Sequence, residues 1–153
     1  MFEVLKAQEI LGKNYRVAAD VWSVTSYKEL YREANDCERW NMLHPTKTAK
    51  VPYVTQTLKD APGPFIAASD YMKVLPESIA QWVPGKIVSL GTDGFGRSEN
   101  REYLRRHFEI NAESIAAAAL SRLARDGKFD AQKAVAAFAE LGVNTEKIDA
   151  ARA

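Results

Sequence analysis

Cysteine is nearly absent from this chain, since Cys37 is the only one among 153 residues. No disulfide can therefore form within the chain, which suits a reducing compartment. Histidine is also scarce: His44 and His107 are the only two, they lie far apart, and neither belongs to a recognised metal-ligand spacing. We therefore expect no metal site here.

The chain also lacks a long apolar run and an excess of charge of either sign. No stretch approaches the roughly 20 apolar residues that a membrane-spanning helix needs. The first six residues carry two charges and do not resemble a signal peptide. The 21 Lys and Arg residues nearly balance the 20 Asp and Glu residues, whereas nucleic-acid-binding proteins usually concentrate positive charge. We expect a cytoplasmic protein with neither a membrane nor a nucleic acid as partner.

What the sequence does contain is an α/β pattern. Its apolar content of 46% is enough to build the core of a single domain over residues 1–153. Segments rich in β-formers at 17–25, 65–69 and 86–91 predict strands, and helical patterns follow them. This alternation predicts a three-layer fold, with a mostly parallel sheet covered by helices on both faces.

The helical patterns have recognisable beginnings and ends. Helices are predicted at 1–13, 27–40, 70–82, 99–108, 112–125 and 131–141, and 52–59 is either a short helix or a strand. Pro76 predicts a restart or kink near the middle of the 70–82 helix. The predicted N-caps are Ser26, Ser98, Asn111 and Asp130. The predicted helix ends are Gly12, Gly127 and Gly142.

The first helix begins almost at residue 1, whereas an α/β domain normally starts with a strand that leads into its first helix. The pattern therefore predicts a sheet that lacks its first strand, or a chain cut from a longer polypeptide. A missing strand would leave backbone donors and acceptors unpaired on its neighbour. We expect such a chain to self-associate or to fill the gap with another segment.

Cys37 and His44 are the one candidate pair for nucleophilic catalysis. They lie seven residues apart, and no third group that would orient the histidine is evident. Cys37 also falls on the apolar side of a predicted helix, where a free cysteine usually behaves as a small buried hydrophobic residue. The structural interpretation is favoured over the catalytic one.

The loop from Gly91 to Gly96 joins a strand to a helix, which is where phosphates often bind. It fails the dinucleotide fingerprint because Glu99 stands where the third glycine is required, and it lacks the Gly-Lys-Ser/Thr ending of a phosphate-binding loop. A tight turn is the favoured interpretation. The alternative is a loop that meets a partner surface, with Asp93 and Phe95 as its contacts.

Arginines recur at four-residue spacing after this loop, at Arg97, Arg101 and Arg105. That spacing places them on one face of a helix, where they could bind an anion or an acidic partner. A solvated face is the favoured interpretation, because Glu99, Glu102 and Glu109 are their neighbours. No complete catalytic, cofactor-binding or metal-binding set is visible anywhere in the sequence.

Five stretches resemble one family in order and spacing, and the resemblance covers essentially the whole chain. They are ADVWSVTS (19–26), ERWNMLHP (38–45), VPYVTQ (51–56), ASDYM (68–72) and LGTDGFGRS (90–98). They are similar to the C-terminal domain of the bacterial, homodimeric type of pyruvate dehydrogenase E1 component, whose more distant relatives are transketolases.

The resemblance implies a transketolase-type C-terminal α/β domain that supports a dimer and carries no main catalytic residue. In the full-length enzyme it implies decarboxylation of pyruvate with thiamine diphosphate and Mg²⁺, followed by acetyl transfer to the lipoyl group of E2, the dihydrolipoyl acetyltransferase. The implied partners of the domain are the remaining E1 domains and the second protomer. The cofactors are implied for other domains, and this chain by itself is expected to be inactive.

Two alternatives remain beside this interpretation. The chain could be a self-standing interaction or scaffold module derived from such a domain, or the C-terminal domain of a related transketolase-type enzyme. A functional module should have a complete sheet, whereas a part of a larger enzyme need not. Whether the reading frame continues upstream of Met1 would distinguish the two.

Overall fold

The computed structural model describes residues 1–152 and contains seven α-helices and two strands within them. In chain order they are α1 (Phe2–Tyr15), α2 (Tyr27–Leu43), α3 (Tyr53–Leu58), β1 (Phe65–Ala68), α4 (Val74–Glu77), β2 (Ile87–Leu90), α5 (Arg101–His107), α6 (Ala112–Arg125) and α7 (Ala131–Glu140). Two short 3₁₀ helices, Ala80–Trp82 and Ala150–Arg152, complete the set. None of the helices within this range is long and apolar enough to cross a membrane.

The two strands run parallel, with Phe65 opposite Ile87 and Ala68 opposite Leu90. Side chains alternate between the two faces of a strand. Ile66, Ala68 and Leu90 pack against a core built by α1, α6 and α7. The opposite face meets a second core, formed largely by residues of α2, α3 and the segment before β2. Helices thus cover both faces of the sheet, which confirms the predicted three-layer α/β class.

The first core is built around the alanine-rich helix α6. Ala116 and Leu120 of α6 are fully buried, and they pack with Ala7 and Leu11 of α1. Small side chains on α6 let α1 approach closely at interior packing density. Leu11 lies one turn before the end of α1, so this contact fixes the helix over nearly its whole length.

The predicted strand at 17–25 is wrong, because this segment is irregular in the structure. Val17 N–H donates to the carbonyl of Leu11, and the side chain of Gln8 donates to the carbonyl of Ala19 at 2.6 Å. The segment is therefore tied to α1 and has no strand beside it within residues 1–152. β-propensity is realised only when a neighbouring strand is available to pair with.

Several predicted helix boundaries are also corrected. Gly12 lies inside α1, which ends at Arg16 in the left-handed conformation with φ 55°. Asn100, and not Ser98, caps α5, because its side chain accepts a hydrogen bond from Tyr103 N–H at 2.8 Å. The helix predicted at 70–82 is reduced to α4, which contains Pro76, and the 3₁₀ turn at Ala80–Trp82.

Other boundaries are confirmed. Ser26 caps α2 by accepting from Glu29 N–H, and Asp130 caps α7 by accepting from Lys133 N–H. Residues 53–58 form a helix, which excludes the strand alternative. Asn111 occupies the N-cap position of α6, but its side chain makes no capping bond there.

The outer edge of β1 is unpaired within residues 1–152. Phe65 N–H donates to Lys86, and Ser69 N–H donates to Leu90, so alternate residues of β1 face β2. The backbone groups of Ile66 and Ala68 therefore point the other way, and no described residue bonds to them. An apolar edge of this kind is a template for pairing with another strand.

Candidate functional site

The loops that follow β1 and β2 meet at the carboxyl end of the sheet, where α/β proteins commonly bind ligands. Gly91 lies directly against the first loop, because a Cβ on it would stand 2.4 Å from the carbonyl oxygen of Tyr71. Thr92 N–H donates to that same carbonyl at 2.9 Å. Glycine is required at 91 because the two backbones touch.

Lys73 joins the two loops to the C-terminal segment of the chain. Its backbone N–H donates to Asp93 Oδ1 at 3.1 Å, and its Nζ lies 3.5 Å from Asp93 and 3.6 Å from Asp149. The pKa of Asp149 is held below its usual range, first by the backbone N–H of Ala151 and then by the charge of Lys73. Asp93, predicted as a partner contact, is thus engaged inside the chain.

The residues after α7 pack against the loop that follows β2. Gly94 has φ 96°, and a Cβ on it would stand 2.7 Å from the carbonyl oxygen of Ala150. Lys147 Nζ donates to the carbonyls of Arg106 and His107, at 3.3 and 2.5 Å, and forms an ion pair with Glu109. The ammonium group thereby satisfies carbonyls at the end of α5, where a positive charge is favoured.

These contacts show that the glycine loop does not suit a diphosphate. The close approaches at Gly91 and Gly94 are made to the backbone of the chain itself, so neither glycine opens a cradle for phosphate oxygens. Residues 1–152 also contain no group of three or more His, Cys, Asp or Glu side chains that could hold a metal ion. The glycine loop therefore does not match the diphosphate group of thiamine diphosphate.

The predicted arginine face is only partly assembled. Arg101 and Arg105 line one open cleft of about 300 Å³ beside the carboxyl ends of β1 and β2. Arg105 is held by an ion pair with Glu3 of α1, with the two side chains 3.1 Å apart. Arg97 belongs to the loop before α5, outside that cleft, and Phe95 extends into solvent with 87% of its surface exposed.

The candidate pair of Cys37 and His44 is not a catalytic pair in this geometry. Cys37 is buried, and its thiol donates to Glu33 Oε1 at 3.2 Å. Burial raises the pKa of the Cys37 thiol, and the neighbouring Glu33 carboxylate raises it further. His44 instead stacks on Trp40, and its Nδ1 lies 2.8 Å from the carbonyl oxygen of Trp40. A protonated thiol bound to a carboxylate is a poor nucleophile.

The sequence patterns did not predict the roles of Glu3, Lys73 or Lys147. Each joins elements that are remote in the chain, and none belongs to a motif or to a helical spacing with its partner. The one available signal was Glu3 in the first turn of α1, where an acidic residue is common for reasons of the helix dipole alone.

The comparison with known families accounts for this arrangement. A family model described as "Transketolase-like TK C-terminal domain" matches residues 1–111, and the chain belongs to that family. The match includes both strands, the two loops at their carboxyl ends and α5.

The curated relatives are more specific. The chain is 48% identical over 147 residues to the pyruvate dehydrogenase E1 component of Escherichia coli K12, which covers 95% of the chain and 16% of that protein. It is 51% identical over 144 residues to the protein of that name from Mycolicibacterium smegmatis, covering 94% of the chain and 16% of the relative. It is 50% identical over 140 residues to the pyruvate dehydrogenase E1 component of Mycobacterium tuberculosis, covering 92% of the chain and 15% of that relative. The chain therefore spans about one sixth of the length of these relatives.

Proposed function

We propose that this chain is the non-catalytic C-terminal domain of a pyruvate dehydrogenase E1 component. The observation that carries the proposal is the identity of about half of all residues to E1 proteins along nearly the whole chain. In the full-length enzyme, the proposed reaction is the thiamine diphosphate-dependent oxidative decarboxylation of pyruvate, with acetyl transfer to the lipoyl group of E2. Mg²⁺ is the proposed metal, and the cytoplasm is the proposed location.

The architecture supports a structural role for the domain. The loops at the carboxyl end of the sheet are fastened to the chain's own backbone and side chains, so they form a rigid surface. On that surface Tyr71 and Phe95 are largely exposed, and exposed aromatic residues are typical of protein interfaces. The proposed contacts to the remaining E1 domains or to the second protomer are Asp93, Phe95 and Arg97, and Arg101 and Arg105 are the proposed anion contacts.

The cofactor proposal is tested by titrating thiamine diphosphate with Mg²⁺ into the 153-residue chain by calorimetry. The full-length protein that carries this domain is titrated in parallel. We expect saturable binding and pyruvate decarboxylation with the full-length protein only. Saturable binding by the chain alone would place the cofactor site in this domain and overturn the proposal.

The interface proposal is tested in the full-length protein with Phe95→Ala. Tyr103→Ala on α5 is the matched control, because Tyr103 is also exposed and aromatic but lies outside the proposed contacts. We expect Phe95→Ala to weaken dimerisation or lower turnover, measured by sedimentation and by acetyl transfer, and Tyr103→Ala to do neither. Equal behaviour of the two variants would argue against a contact at Phe95.

A further inference from the structure

The cleft beside α5 has the position and the lining of a ligand site. One wall consists of Asp70 and Thr92, which lie two residues beyond the ends of β1 and β2. Open parallel sheets place their ligand sites outside the carboxyl ends of the strands. The cleft has a volume of about 300 Å³. Small-molecule sites range from about 300 to 1,000 Å³, so the cleft lies at the lower end of that range.

The other wall of the cleft carries the apolar surface. Leu104 and Phe108 of α5, together with Ile110 just after it, line this wall. Ile110 is itself buried, so the surface is firmly supported from behind. A ligand must present an apolar body to this surface in order to gain from excluding water.

Two arginines supply the polar part of the site. Arg101 and Arg105 lie one turn apart on α5 and both line the cleft. Glu3 orients Arg105 by accepting a hydrogen bond from one of its guanidinium nitrogens. The other N–H groups of that guanidinium remain available for a ligand. Arg101 is exposed and has no hydrogen-bond or ion-pair partner within residues 1–152. A free guanidinium beside an oriented one matches the two oxygens of a carboxylate.

The charges in and around the cleft limit the ligand further. Asp70 contributes one negative charge to the opposite wall, and Glu3 neutralises part of the charge of Arg105. The four side chains sum to no net charge, so binding depends on direct contact with the two guanidinium groups and not on net attraction. A dianion would meet Asp70 with twice the repulsion of a monoanion, so a single carboxylate is favoured. We propose that this cleft binds a small monocarboxylate with an apolar body, held by Arg101 and Arg105 against Leu104, Phe108 and Ile110.

The test uses the 153-residue chain and three probes in NMR titrations of the backbone amides of residues 92 and 101–110. The probe 4-methylpentanoate carries both the charge and the apolar body, 4-methylpentanamide lacks the charge, and inorganic phosphate lacks the apolar body. We expect saturable shifts with 4-methylpentanoate and at least about 10-fold weaker binding of the amide, since losing one charged contact costs about that factor. Phosphate should also bind at least about 10-fold more weakly, because it has no apolar group to bury in the cleft.

Arg101→Gln is the decisive variant, and Arg106→Gln is its matched control on the same helix. Arg106 is exposed like Arg101 but does not line the cleft. Arg101→Gln should weaken 4-methylpentanoate binding about 10-fold or more, whereas Arg106→Gln should leave it unchanged. Neither side chain supports the core, so both variants should fold. Equal binding by the two variants, or equal binding of acid and amide, would overturn the proposal, and tighter binding of phosphate would show a plain anion site instead.

Discussion

The carboxylate of Glu3, in the first turn of α1, accepts a hydrogen bond from the backbone N–H of Ala112, 109 residues further along the chain, at 3.0 Å. It thereby caps α6, a task that the side chain of Asn111 does not perform. The same carboxylate forms an ion pair with Arg105. One side chain thus fastens α1 and α6 of the first core to each other and to α5.

Removal of this carboxylate should destabilise the whole domain. Glu3→Ala leaves the N–H of Ala112 and the guanidinium of Arg105 unsatisfied, and we expect a loss of about 1–3 kcal/mol in the free energy of unfolding. Glu3→Gln should be milder because its carbonyl oxygen can still accept from Ala112. Urea denaturation measures the free energy of unfolding of both variants. Glu9→Ala is the control, because Glu9 is exposed and its ion pair is with Lys13 on the same helix. A loss no larger than that of the control would contradict the role given to Glu3.

The glycines of the second loop should differ sharply in their tolerance of a methyl group. A Cβ at Gly91 would meet the backbone oxygen of Tyr71, whereas nothing lies within 4 Å of the corresponding position at Gly96. We expect Gly91→Ala to cost about 1–3 kcal/mol of stability, as overpacking usually does, and Gly96→Ala to be close to neutral. Thermal unfolding of the two variants side by side measures this difference. Similar midpoints would show that the loops are not in close contact.

The thiol of Cys37 should make stability depend on alkaline pH. Its pKa is raised in the folded protein by burial and by Glu33, above the ordinary value of about 8.5 that applies in the unfolded chain. The stabilisation from the protonated thiol is therefore complete below about pH 8.5. It is lost as the pH rises through the raised pKa of Cys37 in the folded protein. Thermal midpoints from pH 7 to 10 should fall more for the wild type than for Cys37→Ala. If the thermal midpoints of the two proteins fall in parallel with pH, the pKa of Cys37 is not raised in the folded protein.

The same variant addresses catalysis by Cys37. Because the thiol is buried and bound to a carboxylate, Cys37→Ala in the full-length protein should retain wild-type turnover of pyruvate. A loss of turnover without a loss of folded protein would restore the nucleophile interpretation.

The unpaired edge of β1 should make the 153-residue chain self-associate. Ile66 and Ala68 present free backbone groups, and apolar edges of this kind pair with one another. Ala68→Pro removes one outward N–H while the bond from Ser69 to Leu90 remains. We expect concentration-dependent association of the wild type in sedimentation and light scattering, and weaker association of this variant. A stable wild-type monomer at all concentrations would contradict the expectation.

The outcome at residues 17–25 shows where local sequence stops being informative. Val21, Trp22 and Val24 are strong β-formers, yet the segment forms no strand because none lies beside it within residues 1–152. The strands at Phe65–Ala68 and Ile87–Leu90 have equally short signals, and they form because each pairs with the other. Strand formation depends on a partner that may be remote in sequence, whereas helix formation depends on residues three or four positions away.

The α/β class, five of the seven helices nearly to their ends, and the caps at Ser26 and Asp130 could all be predicted from the amino-acid sequence. These follow from local periodicity, capping and composition, which act over a few residues. The capping of α6 by Glu3, the attachment of the C-terminal segment by Lys73 and Lys147, and the shared cleft of Arg101 and Arg105 could not be predicted in this way. Those contacts join residues that lie far apart in the chain, and they exist only once the two cores have brought the elements together.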